Sequence, residues 1–441
     1  MSIHFVQLLS LLLLVVLIWP ISDAAKHNTI KSLPGFPGNL PFHLHTGYVG
    51  VGEMEQVQLF YYFVESESDP VKDPLLLWLT GGPGCSAFSG LVIEIGPLNI
   101  NDSASSWDSK IPIFQLNPFS WTKAASIVFL DSPVGTGFSY ATTHAAYYSN
   151  DTLQSWHIYE FLSKWLVDHI EFRDNPLYIS GDSYCGKIVP IVVQHIVNGN
   201  KADMAVTMNL KGYILGNPYT SKEDNTVAKF KYAERVSLLS RELFETTKKS
   251  CNGTYTNANV DCRRHLQAIS DNLDPLFDAH VLKPKCLTPQ TLCQETSYEL
   301  LLSWANNANV QEALQIREGT KSQWIRCNKT LAYAYNVEST FGYHQNLTKE
   351  VIRALVYSGD QDLKVSYVGT LQWIKNLFIK ILDDWRPWFV KGQVAGYTMK
   401  FSNGHYDLTF ATVKGGGHTA PEYKRQECLA MVSKWLVMDP F

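Results

Sequence analysis

The stretch LYISGDSYCGKIVP, residues 177–190, decides how the rest of the chain is read. It opens with a short apolar, β-prone run. Gly181-Asp182-Ser183-Tyr184-Cys185-Gly186 follows, and then the apolar run IVPIVVQHIV. A strand, a glycine-bounded turn carrying serine, and a helix are the context of a nucleophile elbow, in which a sharp turn lifts Ser183 Oγ clear of the backbone. The outer glycines stand one residue further apart than in the five-residue Gly-x-Ser-x-Gly form. The helix N-terminus after the turn offers backbone N–H groups to a developing oxyanion. Gly-Asp-Ser also occurs in ordinary loops, so the reading needs partners elsewhere in the chain.

Three stretches supply them. YSGDQDL, at 357–363, closes an apolar run with Gly359 and places Asp362 three residues beyond it, with Asp360 as the nearby alternative. TVKGGGHTAP, at 412–421, sets His418 on a glycine loop just before a C-terminal helical pattern. The chain order Ser…Asp…His is that of the α/β-hydrolases and differs from the orders on other folds. WLTGGPGCS, at 78–86, is a glycine loop after a strand, and Gly82 N–H with Tyr184 N–H would complete an oxyanion hole. It lacks the Gly-Lys-Ser/Thr ending of a phosphate loop, and the glycines at 135 and 137 are followed by Tyr140 where a dinucleotide fingerprint needs a third glycine.

The remaining pattern fits this fold. Apolar runs at 57–64, 74–80, 126–133, 176–180, 213–218, 354–359 and 408–413 are mostly continuous and end in Gly, Pro or Asp, as strands buried on both faces do. Trp156, Tyr159, Leu162, Trp165, Leu166 and Ile170 recur at helical spacing between two of them, and Cys428, Met431, Val432, Trp435 and Leu436 do so at the C-terminus after Pro421 and Glu422. Alternating strands and helices predict a largely parallel α/β sheet. One interval breaks the rhythm. It is polar, rich in cysteine and has helical pieces at 240–249 and 300–314. The expected organisation is a hydrolase core at 25–220 and 351–441 with an inserted cap at 221–350.

Of 441 residues, 45% are hydrophobic and 18% charged, which suits a large core. The net charge of −4 and the absence of a basic run argue against a nucleic-acid partner. LLSLLLLVVLIWPI at 8–21 precedes Ser22 and Ala24, small residues at −3 and −1 of a cut after Ala24, so 1–24 reads as a signal peptide. No other stretch is long and apolar enough to span a membrane. Asn101, Asn150, Asn252, Asn328 and Asn346 begin glycosylation sequons. The eight cysteines lack CxxC spacing, and neither a metal site nor a cofactor is expected. Five of them lie between Cys251 and Cys327, so full pairing there needs one bridge that leaves the segment.

The motifs together resemble the plant serine carboxypeptidase-like family. LPGFPGNLPFHLHTGYVGV, PLLLWLTGGPGCSAFSGLVIEIGP, FLDSPVGTGFSY, ISGDSYCGK, YSGDQDL and FATVKGGGHTAPEYK carry the resemblance over nearly the whole mature chain. It implies Ser183 as nucleophile, His418 as general base and acid, and Asp362 as the group orienting the imidazole. It also implies disulfides Cys85–Cys327, Cys251–Cys262 and Cys286–Cys293, with Cys185 and Cys428 as thiols, and a secreted or vacuolar protein. Peptidase members usually carry Asn in the Trp-Leu-x-Gly-Gly-Pro-Gly run and Glu before the nucleophile, and with a second Glu these bind the terminal carboxylate of a peptide. Here the corresponding residues are Thr80, beside Gly81, then Asp182 and Glu94. The changes resemble the acyltransferase branch, which moves an acyl group, often hydroxycinnamoyl or galloyl, from a 1-O-glucose ester to an alcohol. A carboxypeptidase acting on peptides at acidic pH is the alternative, and a non-catalytic partner that keeps the fold is disfavoured by the intact Ser, Asp and His.

Overall fold

All seven apolar runs lie in one eleven-stranded sheet. The structure, a computed structural model, describes residues 29–101, 111–202, 206–253, 255, 259–286, 294–321, 323–439 and 441. The expected signal peptide lies outside the described residues. The strands are β1 (Leu44–Val51), β2 (Val57–Val64), β3 (Leu75–Leu79), β4 (Ser126–Leu130), β5 (Leu177–Asp182), β6 (Leu210–Gly216), β7 (Arg353–Gly359), β8 (Ile381–Val390), β9 (Gln393–Ser402) and β10 (Asp407–Val413). Their spatial order is β1-β2-β4-β3-β5-β6-β7-β10-β9-β8, and a two-residue strand, Tyr140–Ala141, pairs with β2. The centre from β4 to β10 is parallel and both edges are antiparallel. This is the α/β-hydrolase arrangement that the order of the motifs predicts.

The continuous apolar runs have a direct cause. Successive strand side chains point to opposite faces, and both faces are covered. Leu75, Leu77, Leu79, Ile179, Leu215 and Val356 meet the helices Asp151–Asp168 and Cys185–Lys201 on one face. Leu76, Trp78, Phe129, Tyr178, Ile214 and Tyr357 pack on the other against Phe88, Leu91 and the helix Arg425–Leu436.

Sequence reading alone does not reveal β1, β8 and β9. β8 contains Asp383, Asp384, Arg386 and Pro387 and buries only Trp388, so it shows neither alternation nor a continuous run. As an edge strand it needs neither, and it tolerates proline. Two expected helices are broken. The C-terminal pattern consists of Ala420–Tyr423 and Arg425–Leu436, with Lys424 between them at φ −134°, outside the helical range. The piece at 300–314 consists of Gln294–Ala305 and Ala308–Ala313, because Asn307 caps the second helix through its side chain.

The long interval between β6 and β7 divides in its packing. Helices Lys222–Arg235, Arg241–Ser250 and Val260–Leu273 build a small core of their own with Leu363 and Val368. Leu301, Trp304, Val310, Leu314 and Trp324 join the core beneath the sheet instead, where Trp304 stacks on Phe88 at 4.7 Å. Among the described residues, no helix is long and apolar enough to cross a membrane.

Candidate active site

β5 ends at Asp182 and the next helix begins at Cys185, which leaves Ser183 and Tyr184 to turn the chain. Ser183 takes φ +56°, a left-handed conformation that is costly for a residue with a Cβ. Backbone hydrogen bonds hold it there: Ser183 N–H donates to Gly216 O at 2.9 Å, and Ser183 O accepts from Gly186 N–H at 3.0 Å and Tyr219 N–H at 2.8 Å. The glycine loop presses on the turn from the other side. A Cβ at Gly81 would lie 2.7 Å from Ser183 Cβ and 2.8 Å from Tyr184 N, so only glycine lets the loop approach this closely.

His418 Nε2 lies 2.8 Å from Ser183 Oγ, and His418 Nδ1 lies 2.8 Å from Asp362 Oδ2. Three loops separated in sequence thus meet in one line. Burial works to lower the His418 pKa, but the charge and hydrogen bond of Asp362 outweigh it, and the net shift is upward. Asp362 is fully buried. Its Oδ1 accepts from Lys364 N–H at 2.7 Å, and its Oδ2 also accepts from Asn217 Nδ2 at 2.7 Å and Val365 N–H at 3.2 Å. Asp360 faces elsewhere: its Oδ1 accepts from Gly415 N–H at 2.7 Å and steadies the glycine loop that carries His418. Asn217, which sequence reading leaves without a role, links β6 to this acid. It bonds Asp362 through Nδ2 and accepts from Gly359 N–H at 3.0 Å through Oδ1. Its one signal in the sequence is a polar residue directly after the Gly that ends a buried strand.

Ser183, Gly82 and Tyr184 line a cleft of about 850 Å³. The neighbouring wall comes from the long interval and includes Ser221, Glu223, Tyr335 and Val337. Cys85 bonds to Cys327 and ties the glycine loop to that interval, with Ser86 N–H on Arg326 O at 2.7 Å and Asn328 N–H on Gly84 O at 2.8 Å beside the bridge.

A serine carboxypeptidase family model matches residues 34–438. The chain is 46% identical over 414 residues to serine carboxypeptidase-like 1 of Arabidopsis thaliana, covering 93% of this chain and 92% of that protein. It is 45% identical over 440 residues to serine carboxypeptidase-like 10 of the same plant, covering 98% of each. The chain belongs to the serine carboxypeptidase family. Its fold is also that of Kex1(delta)p, a prohormone-processing carboxypeptidase of Saccharomyces cerevisiae, with a TM-score of 0.77 over 94% of this chain and 96% of that one, at 20% identity.

Within this serine carboxypeptidase-like chain, Cys251–Cys262 is the second bridge, and Cys185 and Cys428 are buried thiols. Cys286 is disulfide-bonded, while Cys293 lies outside the described residues. Asn252 and Asn346 are exposed; Asn101, Asn150 and Asn328 are partly buried. Asn328 Nδ2, the atom a glycan would take, donates to Gly135 O at 3.1 Å.

Thr80, Glu94 and Asp182 are all buried. Asp182 Oδ1 accepts from Gly81 N–H at 3.1 Å. Among the described residues, neither Thr80 Oγ1 nor Glu94 Oε2 has a hydrogen-bond partner. Burial pushes Asp182 up to about 6, against the pull of His418 and the Gly81 N–H. Burial and then the charges of Asp182 and Glu422 push Glu94 well above the usual carboxylate range.

The Asp182 shift has a sign that can be tested. The unfolded chain releases this proton near pH 3.8, whereas the folded protein keeps it until about 6. In between the folded state binds more protons, so this contribution to stability is full below pH 3.8 and is lost as pH rises through 6. His344, held neutral by burial down to about 3, works in the opposite sense, so the informative quantity is a difference between variants. From pH 4.5 to 7.5, Asp182→Asn should gain about 2 kcal/mol on the wild type in urea unfolding. A gap that is flat, or that moves the other way, contradicts the assignment.

Proposed function

We propose that Ser183 attacks an ester carbonyl while His418 Nε2 takes its proton, with Asp362 holding the imidazole and Gly82 and Tyr184 N–H receiving the oxyanion. The tetrahedral adduct collapses to an acyl-enzyme as His418 returns the proton to the leaving oxygen. An acceptor alcohol then loses a proton to His418, attacks the acyl carbon and frees Ser183. The donor we assign is a 1-O-glucose ester of a hydroxycinnamoyl or galloyl acid, and the acceptor is an alcohol of plant secondary metabolism.

The observation that supports this reading is the trio Thr80, Glu94 and Asp182. It offers a hydroxyl and carboxyl oxygens with unused bonding capacity, which suit the hydroxyls of a sugar because these both donate and accept. The carboxylate of a peptide needs donors, and the amide found in peptidase members is here a threonine. The double substitution Thr80→Asn with Asp182→Glu should raise kcat/KM on blocked dipeptides by roughly ten- to a hundred-fold, the worth of one hydrogen bond to a charged group. It should weaken acylation by the glucose ester, whose sugar the original side chains suit, and leave acylation by p-nitrophenyl acetate, which has no sugar, nearly unchanged. A double variant no better on dipeptides than the wild type removes these residues as the reason for the preference.

A second reading, a carboxypeptidase active at acidic pH, is favoured by the raised pKa values of Asp182 and Glu94, since protonated carboxyls can donate to a carboxylate. Purified protein at acidic pH, given a blocked dipeptide in one assay and a hydroxycinnamoyl glucose ester with mixed alcohols in another, separates the two. Efficient dipeptide cleavage with no acyl transfer installs the peptidase. In either case we assign 221–350 as the cap that decides between water and acceptor, and a secretory route that removes 1–24 and adds glycans at sequons such as Asn252 and Asn346.

A further inference from the structure

Asp151 is the first residue of the helix Asp151–Asp168 and has 0% exposure, an unusual place for a carboxylate. Donors from two directions converge on it. Tyr184 OH donates to Oδ1 at 2.6 Å, Tyr333 OH donates to Oδ1 at 2.9 Å, and Val337 N–H donates to Oδ2 at 2.8 Å. One carboxyl therefore joins the residue after Ser183 to segment 333–337 of the long interval. Lys187, one helical turn past Ser183, grips the same segment from the elbow helix. Its Nζ donates to Val337 O and, at 2.7 Å, to Glu338 O. A two-residue parallel ladder, Tyr333–Ala334 on Ser149–Asn150, fixes the start of the segment.

This segment forms one side of the cleft. Tyr335 and Val337 line it together with Tyr184 and Tyr219. Tyr184 stacks on Tyr219 with centroids 6.0 Å apart, and Tyr335 meets Tyr184 edge-on at 5.9 Å. Yet Tyr335 is 68% exposed, so its own burial does little to hold it. What anchors the segment is a buried carboxyl on one flank and a lysine amine on the other.

We propose that Asp151 and Lys187 are positioning residues that hold 333–338 as the wall facing the acyl group, and that this wall sets which acyl groups are accepted. The inference rests on Ser183 as nucleophile and is independent of whether glucose or an amino acid leaves. A small acyl group ends short of the wall, whereas a planar aromatic one lies against Tyr335 and the stacked pair. A displacement of about 1 Å can cost up to a hundred-fold in rate for a group that depends on it.

The test compares p-nitrophenyl acetate with p-nitrophenyl cinnamate for wild type, Lys187→Met, Lys187→Arg and Asp151→Asn, each with active sites counted by fluorophosphonate labelling. Labelling separates failure of the nucleophile from failure of the wall. The ratio of kcat/KM, cinnamate over acetate, should fall at least ten-fold in Lys187→Met and Asp151→Asn, mainly through KM for cinnamate. It should recover in Lys187→Arg, which restores donors for both carbonyls. Should Asp151→Asn fail to fold, the two lysine variants carry the test. A ratio within two-fold of wild type in Lys187→Met, whether both rates fall together or neither does, overturns the proposal.

Discussion

Replacing Ser183 with alanine should lower kcat by about 10⁶ and abolish fluorophosphonate labelling, with little change in melting temperature. The size follows from the geometry. His418 Nε2 sits 2.8 Å from Ser183 Oγ, and without that oxygen it has nothing to deprotonate except water, which the elbow does not position. The small cost to the fold follows from the way the turn is held. Its bonds to Gly216, Gly186 and Tyr219 use the backbone of Ser183 and none uses Oγ. Alanine at φ +56° carries much the same strain as serine. The variant therefore separates chemistry from folding, and labelling that persists at full strength would identify another nucleophile.

Asp362→Asn should cost about 10⁴ in kcat. Apart from His418, every partner of the Asp362 carboxyl is a donor: Lys364 N–H, Val365 N–H and Asn217 Nδ2. An amide NH₂ finds no acceptor there except the imidazole. Turned toward His418 Nδ1, it selects the tautomer with a proton on Nε2, and Ser183 then faces a donor instead of a base. Turned away, it meets Lys364 N–H, donor against donor. Either orientation also leaves buried polar groups unmatched, so stability should fall as well. Asp360→Asn is the control. An asparagine oxygen still accepts from Gly415 N–H, and the loss should stay below about ten-fold. Steady-state kinetics on a chromogenic ester, with active sites titrated, compares the two. The reverse ranking would assign the orienting role to Asp360.

The parts of this molecule that are legible in its sequence are those whose chemistry is local. The elbow at 181–186, the Gly-x-x-Asp at 359–362 and the glycine loop before His418 each need particular residues within a few positions of one another. The central strands are legible because burial on both faces demands continuous apolar runs. Asn217, Asp151 and Lys187 are not. Each is an ordinary polar residue whose importance comes from partners 142–145, 33–186 and 150–151 positions away, and nothing local marks such a meeting. The edge strand β8 escaped for another reason. A strand at the rim of a sheet is not held to any hydrophobic pattern.

The divided packing of the long interval bears on how relatives of this protein can be recombined. A chimaera that exchanges all of 221–350 brings foreign side chains to the places of Trp304, Leu314 and Trp324, under a sheet shaped around the originals. Each mismatched large residue there risks a void or an overlap. The three helices from Lys222 to Leu273 share a small core of their own and meet segment 360–369 through Leu363, Tyr367 and Val368 and through hydrogen bonds from Tyr232 OH to Asp360 O, from Ser366 Oγ to Ala228 O and from Asn225 Nδ2 to Lys364 O. Residues 222–273 are therefore the more portable unit of the interval, transferable with a matching 360–369 segment at their base, whereas 301–324 must travel with the sheet.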